Sequence, residues 1–216
     1  MNGTLIERIK KKKIIAIVRG ISAADCIKTA QALYEGGIEL MEVTFDHSDP
    51  AKYAETAEAI REICRLMGSR MCVGVGTVLS EQDLLSAKNA GAQFIISPNC
   101  NEELIRHTKE YGLLSIPGAV TPTEALKAYQ AGADFVKIFP ADVLGPSYFR
   151  ALRGPLSQIP FLAVGGIQVE NMRDFLSAGC CGVGCGGKLV NRTWIEQGAY
   201  DHIAQLARQL VEQAGR

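Results

Sequence analysis

The sequence predicts a single-domain (β/α)8 TIM barrel. Three observations predict it. Short apolar runs alternate with amphipathic helical stretches eight times along the 216 residues. The units average about 27 residues, close to the minimum for a closed eight-stranded barrel. Gly-Gly and Gly-Ala pairs (Gly36-Gly37, Gly91-Ala92, Gly132-Ala133) stand before strands, as helix C-caps leading into parallel strands require. No Pro/Ser-rich linker or low-complexity stretch interrupts the pattern, so residues 1–216 read as one domain, with a short N-terminal helix before the first strand. A doubly wound open sheet is the alternative, because alternation alone does not require closure.

The elements follow in order. Ile14 to Val18 is the first strand, and Ser22 caps a helix that stops at Gly36-Gly37. Ile38 to Thr44 is the second strand, followed by a helix from Pro50 to Leu66. Met71 to Val75 is the third, and Ser80 caps the helix after it, through Asn89. The fourth strand is Gln93 to Ile96, with a helix from Asn101 to Tyr111. The fifth is Leu113 to Ile116, with a helix from Thr121 to Ala131. The sixth is Phe135 to Phe139, with a helix from Pro146 to Leu156. The seventh is Phe161 to Val164, with a helix from Val169 to Ala178. Cys181 to Cys185 is the eighth, and Tyr200 to Ala214 the last helix.

Composition excludes several classes. Lys plus Arg number 23 and Asp plus Glu 23, so no net field favours nucleic acid or a membrane surface. No run approaches the ~18 apolar residues of a membrane span, and the N-terminus lacks an apolar signal-peptide core. The seven cysteines are an odd number without framework spacing or a C-x-x-C pair, which points to free thiols in a reducing cytoplasm. His47, His107 and His202 lie far apart, so no metal site is expected. Lys10 to Lys13 reads as a solvated connection.

The chemistry gathers around Lys137. In Phe135-Val136-Lys137-Ile138-Phe139, alternation puts Phe135, Lys137 and Phe139 on one face. An ammonium between aromatic rings is costly to bury unless it is paired or deprotonated. It is therefore either a core ion pair or an amine held ready to attack a carbonyl. The same parity groups Ile15, Ile17 and Arg19 in the first strand, Ile38, Leu40, Glu42 and Thr44 in the second, and Val73, Val75 and Thr77 in the third. Each strand then carries a polar residue near its C-terminal end, where such barrels hold their active sites. Arg19, Glu42, Thr77 and Lys137 together suit a small keto acid: a cation and a hydroxyl for its carboxylate, an amine for its ketone, a carboxyl for protons.

Glycines follow the seventh and eighth strands, at Gly165-Gly166 and Gly186-Gly187. Exposed N–H groups there would cradle a phosphate. Gly182 to Gly187 also fits G-x-G-x-x-G, but it closes the last unit and no further strand completes a βαβ, so a dinucleotide site is not expected. Asp46 and His47 read as loop polarity.

These residues resemble the 2-keto-3-deoxy-6-phosphogluconate (KDPG) and 4-hydroxy-2-oxoglutarate (KHG) aldolases. The matching stretches are Ala16-Ile17-Val18-Arg19, Met41-Glu42-Val43-Thr44, Gly74 to Leu79, Ile96-Ser97-Pro98, Pro117 to Glu124, Phe135 to Ala141 and Gly165-Gly166-Ile167. The resemblance implies a Schiff-base lysine at Lys137 and proton transfer by Glu42. It implies that Arg19, Thr77 and Phe139 contact the keto acid and that Pro98 walls the pocket. It also implies that Gly165, Gly166, Gly186 and Gly187 surround the phosphate, and that the protein is a homotrimer without a metal or other cofactor.

Three positions depart from the pattern. Asp46 stands where many members carry Arg, Val164 where some carry Thr, and Gly187, followed by Lys188, where Ser is usual. The rival functions are an aldolase for another 4-hydroxy-2-keto acid, a phosphate-binding isomerase or synthase on the same barrel, and a sugar-phosphate binding module without chemistry.

Overall fold

The computed structural model describes residues 2–215. Helix α1 (Asn2–Lys12) leads into β1 (Ile14–Val18), α2 (Ala23–Glu35), β2 (Leu40–Thr44), α3 (Pro50–Met67) and β3 (Cys72–Gly76). Then come α4 (Glu81–Asn89), β4 (Phe94–Ile96), α5 (Glu102–Glu110), β5 (Leu114–Ile116), β6 (Gly118–Ala119) and α6 (Pro122–Gln130). The chain ends with β7 (Val136–Ile138), α7 (Ala141–Arg153), β8 (Phe161–Val164), α8 (Met172–Ser177), β9 (Gly182–Cys185), α9 (Arg192–Glu196) and α10 (Tyr200–Gly215).

All strand pairs are parallel, in the order β5-β4-β3-β2-β1-β9-β8-β7-β6. β5 and β6 are two halves of the fifth barrel strand, broken at Pro117, whose ring offers the ladder no N–H. That strand pairs with β4 on one side. On the other it receives the amides of Lys137 at Pro117 O (2.9 Å) and Phe139 at Ala119 O (3.3 Å). The ring thus closes as a (β/α)8 barrel, not an open sheet. Asp134 secures the seam: its carboxylate accepts Lys109 Nζ (2.5 Å) and the Ser115 amide (2.8 Å).

Two apolar layers result. Val43, Val73, Val75, Val136, Ile138 and Ala163 face the helices. Ile15, Leu40, Cys72, Phe94, Ile116, Phe135 and Leu162 fill the barrel, closed below by Ile9 of α1. The Lys10 to Lys13 run is mostly the end of a helix instead of a loop: Lys10 and Lys11 are exposed, as expected, while Lys12 and Lys13 are half-buried. Lys10, Lys11 and Lys12 form the last turn of α1, where cations favour the helix C-terminus. Lys12 pairs with Glu39 (2.5 Å), and Lys13 donates to Ala214 O (2.9 Å).

Other boundaries differ from expectation. α7 begins five residues earlier than Pro146, at Ala141, and is broken at Gly145 (φ 73°). α8 starts only at Met172. The sequence reading contained no counterpart of α9, a five-residue helix capped by Asn191.

Candidate active site

The C-terminal mouth of the barrel holds a cleft of about 890 Å³. Arg19, Glu42, Thr77, Pro98, Lys137, Phe139, Gly165, Gly166, Gly186 and Gly187 all line it. Every expected site residue is thus brought to one place. Lys188 and Arg192 line it as well.

Lys137 and Glu42 form its floor. Lys137 is 7% exposed and Glu42 2%. Lys137 follows Phe135 inward along β7, and its Nζ lies 5.0 Å from the centre of the Phe139 ring. Burial pushes the ammonium below the usual lysine range; Arg19 adds to this and Glu42 opposes it. Burial likewise pushes the Glu42 carboxyl above its usual range, against the pull of Lys137 and Arg19. Both groups therefore shift toward their neutral forms. Oε2 of Glu42 is buried with no hydrogen-bond partner among the described residues. An unpaired buried carboxyl oxygen is costly, and here it belongs to a group that lines the pocket.

Gly76 makes room for Glu42. A Cβ at Gly76 would lie 1.7 Å from Glu42 Oε1, and one at Gly74 would lie 2.0 Å from the Phe94 ring. The inward positions of β3 are thus Cys72, Gly74 and Gly76. Val73 and Val75 face the helices, so the expected parity of this strand is wrong. Thr77 still enters the cleft, because it leaves the strand in a left-handed conformation (φ 58°). For a β-branched residue that geometry costs about 1–2 kcal/mol. Ile38, too, belongs to the outer layer and precedes β2.

Arg19 is held from two sides. Its Nε donates to Thr44 Oγ1 (3.3 Å) and its Nη2 to Thr77 Oγ1 (3.5 Å). A guanidinium anchored this way presents its remaining N–H groups to a carboxylate. Asp46 turns away from the cleft and accepts the Ser48 amide (2.9 Å).

The far end of the cleft is built from the two glycine loops. Gly165 (φ 103°) and Gly166 (φ 65°) occupy backbone regions that disfavour side chains. Asn171 Nδ2 donates to Gly166 O (2.9 Å) and fixes the first loop. Among the described residues, no hydrogen bond uses the amides of Gly166, Ile167, Gly187 or Lys188. Lys188 and Arg192 add two exposed cations. Arg192 lay beyond the sequence reading, because α9 is too short to show a period; the Asn191 cap was its one signal. No group of three or more His, Cys, Asp or Glu residues suited to a metal is found among the described residues.

The family model described as "KDPG and KHG aldolase" matches residues 5–206. The chain belongs to the KDPG and KHG aldolase family. It is 38% identical to the KHG/KDPG aldolase of Escherichia coli, over 87% of this chain and 85% of that protein. It is 36% identical to the 2-dehydro-3-deoxy-6-phosphogalactonate aldolase of Escherichia coli K12, over 83% and 85%. Among solved structures, the KDPG aldolase of Legionella pneumophila with pyruvate captured as a covalent carbinolamine superposes with a TM-score of 0.85. It is 25% identical, covering 97% of this chain and 98% of that one. The protein is accordingly a class I aldolase, a lyase acting on small keto acids. No helix among its described residues is long and apolar enough to cross a membrane.

Proposed function

We propose that this aldolase cleaves a phosphorylated 2-keto-3-deoxy acid to pyruvate and glyceraldehyde 3-phosphate, and more slowly 4-hydroxy-2-oxoglutarate to pyruvate and glyoxylate. The observation that carries the chemistry is the buried pair at the pocket floor: Lys137 lowered in basicity beside a Glu42 carboxyl with an unpartnered oxygen.

The neutral Lys137 amine attacks the C2 ketone and forms a carbinolamine. Loss of water gives an iminium ion. The Glu42 carboxylate takes the C4 hydroxyl proton, the C3–C4 bond breaks, and its electron pair moves to C3 as the iminium becomes an enamine. The aldehyde leaves. Glu42 returns the proton to C3, and water hydrolyses the resulting iminium to pyruvate and free Lys137. Lys137 itself is the electron sink, so the reaction uses no cofactor. Arg19 and Thr77 hold the substrate carboxylate, while Phe139 and Pro98 wall the reacting carbons.

The preference for a terminal phosphate rests on the far end of the cleft. Unused amides near Gly166 and Gly187 and the cations Lys188 and Arg192 suit a dianion. Lys188 supplies charge where Gly187 supplies no hydroxyl. The reading of residues 1–216 as one catalytic domain and a homotrimer goes with this proposal. Exposed Val120 and Val143 (39% and 78%) support apolar contact between subunits, which sedimentation equilibrium tests. Free thiols at all seven cysteines fit a cytoplasmic setting.

The test is a pyruvate-coupled lyase assay on 2-keto-3-deoxy-6-phosphogluconate, its galactonate epimer and 4-hydroxy-2-oxoglutarate. Faster turnover of either phosphorylated acid is expected. Equal or greater kcat/KM on 4-hydroxy-2-oxoglutarate would refute the phosphate preference.

A further inference from the structure

We propose that His47 is a positioning residue for the substrate carboxylate, acting through the backbone of Thr77. Its Nε2 lies 2.8 Å from the Thr77 carbonyl oxygen. A carbonyl can only accept, so Nε2 carries the proton and donates it. The bond meets a specific local need. Phe45 N donates to the Gly76 carbonyl (3.0 Å), continuing the ladder from β2 to β3. One residue on, the left-handed turn at Thr77 (φ 58°) ends that ladder. Among the described residues no backbone N–H reaches the Thr77 carbonyl, and the His47 side chain supplies its donor.

The ring is held in place to do so. It lies 5.8 Å from the Tyr53 ring and 6.4 Å from the Phe45 ring, and those two stack on each other at 4.3 Å. Downstream, Asp83 of α4 accepts the amides of Leu79 (2.9 Å) and Ser80 (3.0 Å), and its carboxylate lies 3.8 Å from His47 Nε2. The segment from 77 to 80 is thus pinned at both ends, by His47 at its start and Asp83 at its finish. The consequence reaches the pocket through the Thr77 hydroxyl, which receives Arg19 Nη2. If Thr77 relaxed to an ordinary extended or right-handed conformation, its hydroxyl would leave Arg19, and the guanidinium would lose one of its two anchors. His47 touches neither the reacting carbons nor the Lys137–Glu42 pair. It acts on binding and not on bond cleavage.

The inference rests on the aldolase reading above. It is tested by three variants. H47F keeps the ring and removes the donor, H47N shortens the side chain so that its amide falls short of the carbonyl, and H47Q places an amide N–H where Nε2 stands. At a side chain that is 36% exposed, all three are compatible with folding. H47F and H47N are expected to raise KM for the keto acid, and Kd for pyruvate, about three- to tenfold, the equivalent of one hydrogen bond at a partly exposed site. Their kcat should stay within about threefold. H47Q should restore KM to near the wild-type value. T77A combined with H47F should cost no more than the larger single effect, because both act on one contact.

The proposal is overturned if KM is unchanged in both donor-removing variants, if H47Q fails as badly as H47F, or if the H47F and T77A effects add. Amide hydrogen exchange separates this from the aldolase reading. Loss of protection at Val78 and Leu79 in H47F is expected whether or not the protein turns over a keto acid, and unchanged protection there overturns the proposal on its own.

Discussion

The two ends of the cleft are built by different means. At the floor, Lys137 and Glu42 project from β7 and β2, are almost fully buried, and are pressed toward neutrality by the same desolvation. At the far end, the glycine loops carry backbone amides and two exposed cations on segments outside the sheet. Rigid strands fix the reacting groups, where small misplacement is expensive. In the proposed function the loops set which aldehyde fits, where sequence can vary without disturbing the barrel. Changes at the floor should therefore abolish or slow chemistry, and changes at the far end should redistribute substrate preference.

The largest effect is expected from Lys137→Met, which removes the proposed nucleophile while keeping the length of the side chain. Turnover should fall to background and pyruvate should form no adduct, both read by a coupled assay and mass spectrometry. Glu42→Gln comes next. Turnover should drop by about 10² to 10⁴, yet the pyruvate adduct on Lys137 should still form. Turnover near the wild-type rate would make Glu42 structural only.

Gly76→Ala joins chemistry to packing. Its Cβ would collide with the Glu42 carboxyl, so a loss of about 1–3 kcal/mol in stability is expected, with a lower kcat. Denaturant unfolding and kinetics on the same sample check both. Arg19→Leu should raise KM about 10- to 100-fold, the worth of hydrogen bonds to a charged carboxylate.

At the far end, Lys188→Ala and Arg192→Ala should each raise KM for phosphorylated substrates only about two- to fivefold, as exposed charges do. They should leave pyruvate binding unaffected, and their effect should shrink in salt. If they instead lower kcat on all substrates alike, the division of the cleft into two ends fails.

The pH dependence has a definite sign. In the proposed mechanism Lys137 loses its proton before it attacks, so adduct formation should rise with pH, with a midpoint below the usual 10.5. Glu42 as a carboxylate holds that midpoint up. Glu42→Gln should therefore move it further down, as stopped-flow trapping at a series of pH values would report.

Much of the floor was legible in the sequence, and the reason is strand parity. Lys137 between two phenylalanines and Glu42 after Leu40 sit on clean alternations that survive folding. Alternation points to Thr77 for the wrong reason. Val73 and Val75 look like an inward pair, but the inward positions hold glycines because Phe94 and Glu42 occupy that space. Thr77 arrives by a left-handed turn that alternation cannot signal. The far end was only half legible. Glycine pairs after the last two barrel strands marked the loops, while Arg192 sits on a helix of five residues. The lysine run was half legible: Lys10 and Lys11 are solvated, while Lys12 and Lys13 meet Glu39 and the Ala214 carbonyl, tertiary partners that spacing does not signal.

The proposed mechanism makes Lys137 the covalent nucleophile, and the most direct measurement is borohydride reduction in the presence of pyruvate, followed by peptide mass mapping. A single reduced pyruvyl group on the Lys137 peptide, with irreversible loss of activity, is the expected result. Absence of an adduct at saturating pyruvate, or an adduct on another lysine with Lys137 unmodified, would contradict it.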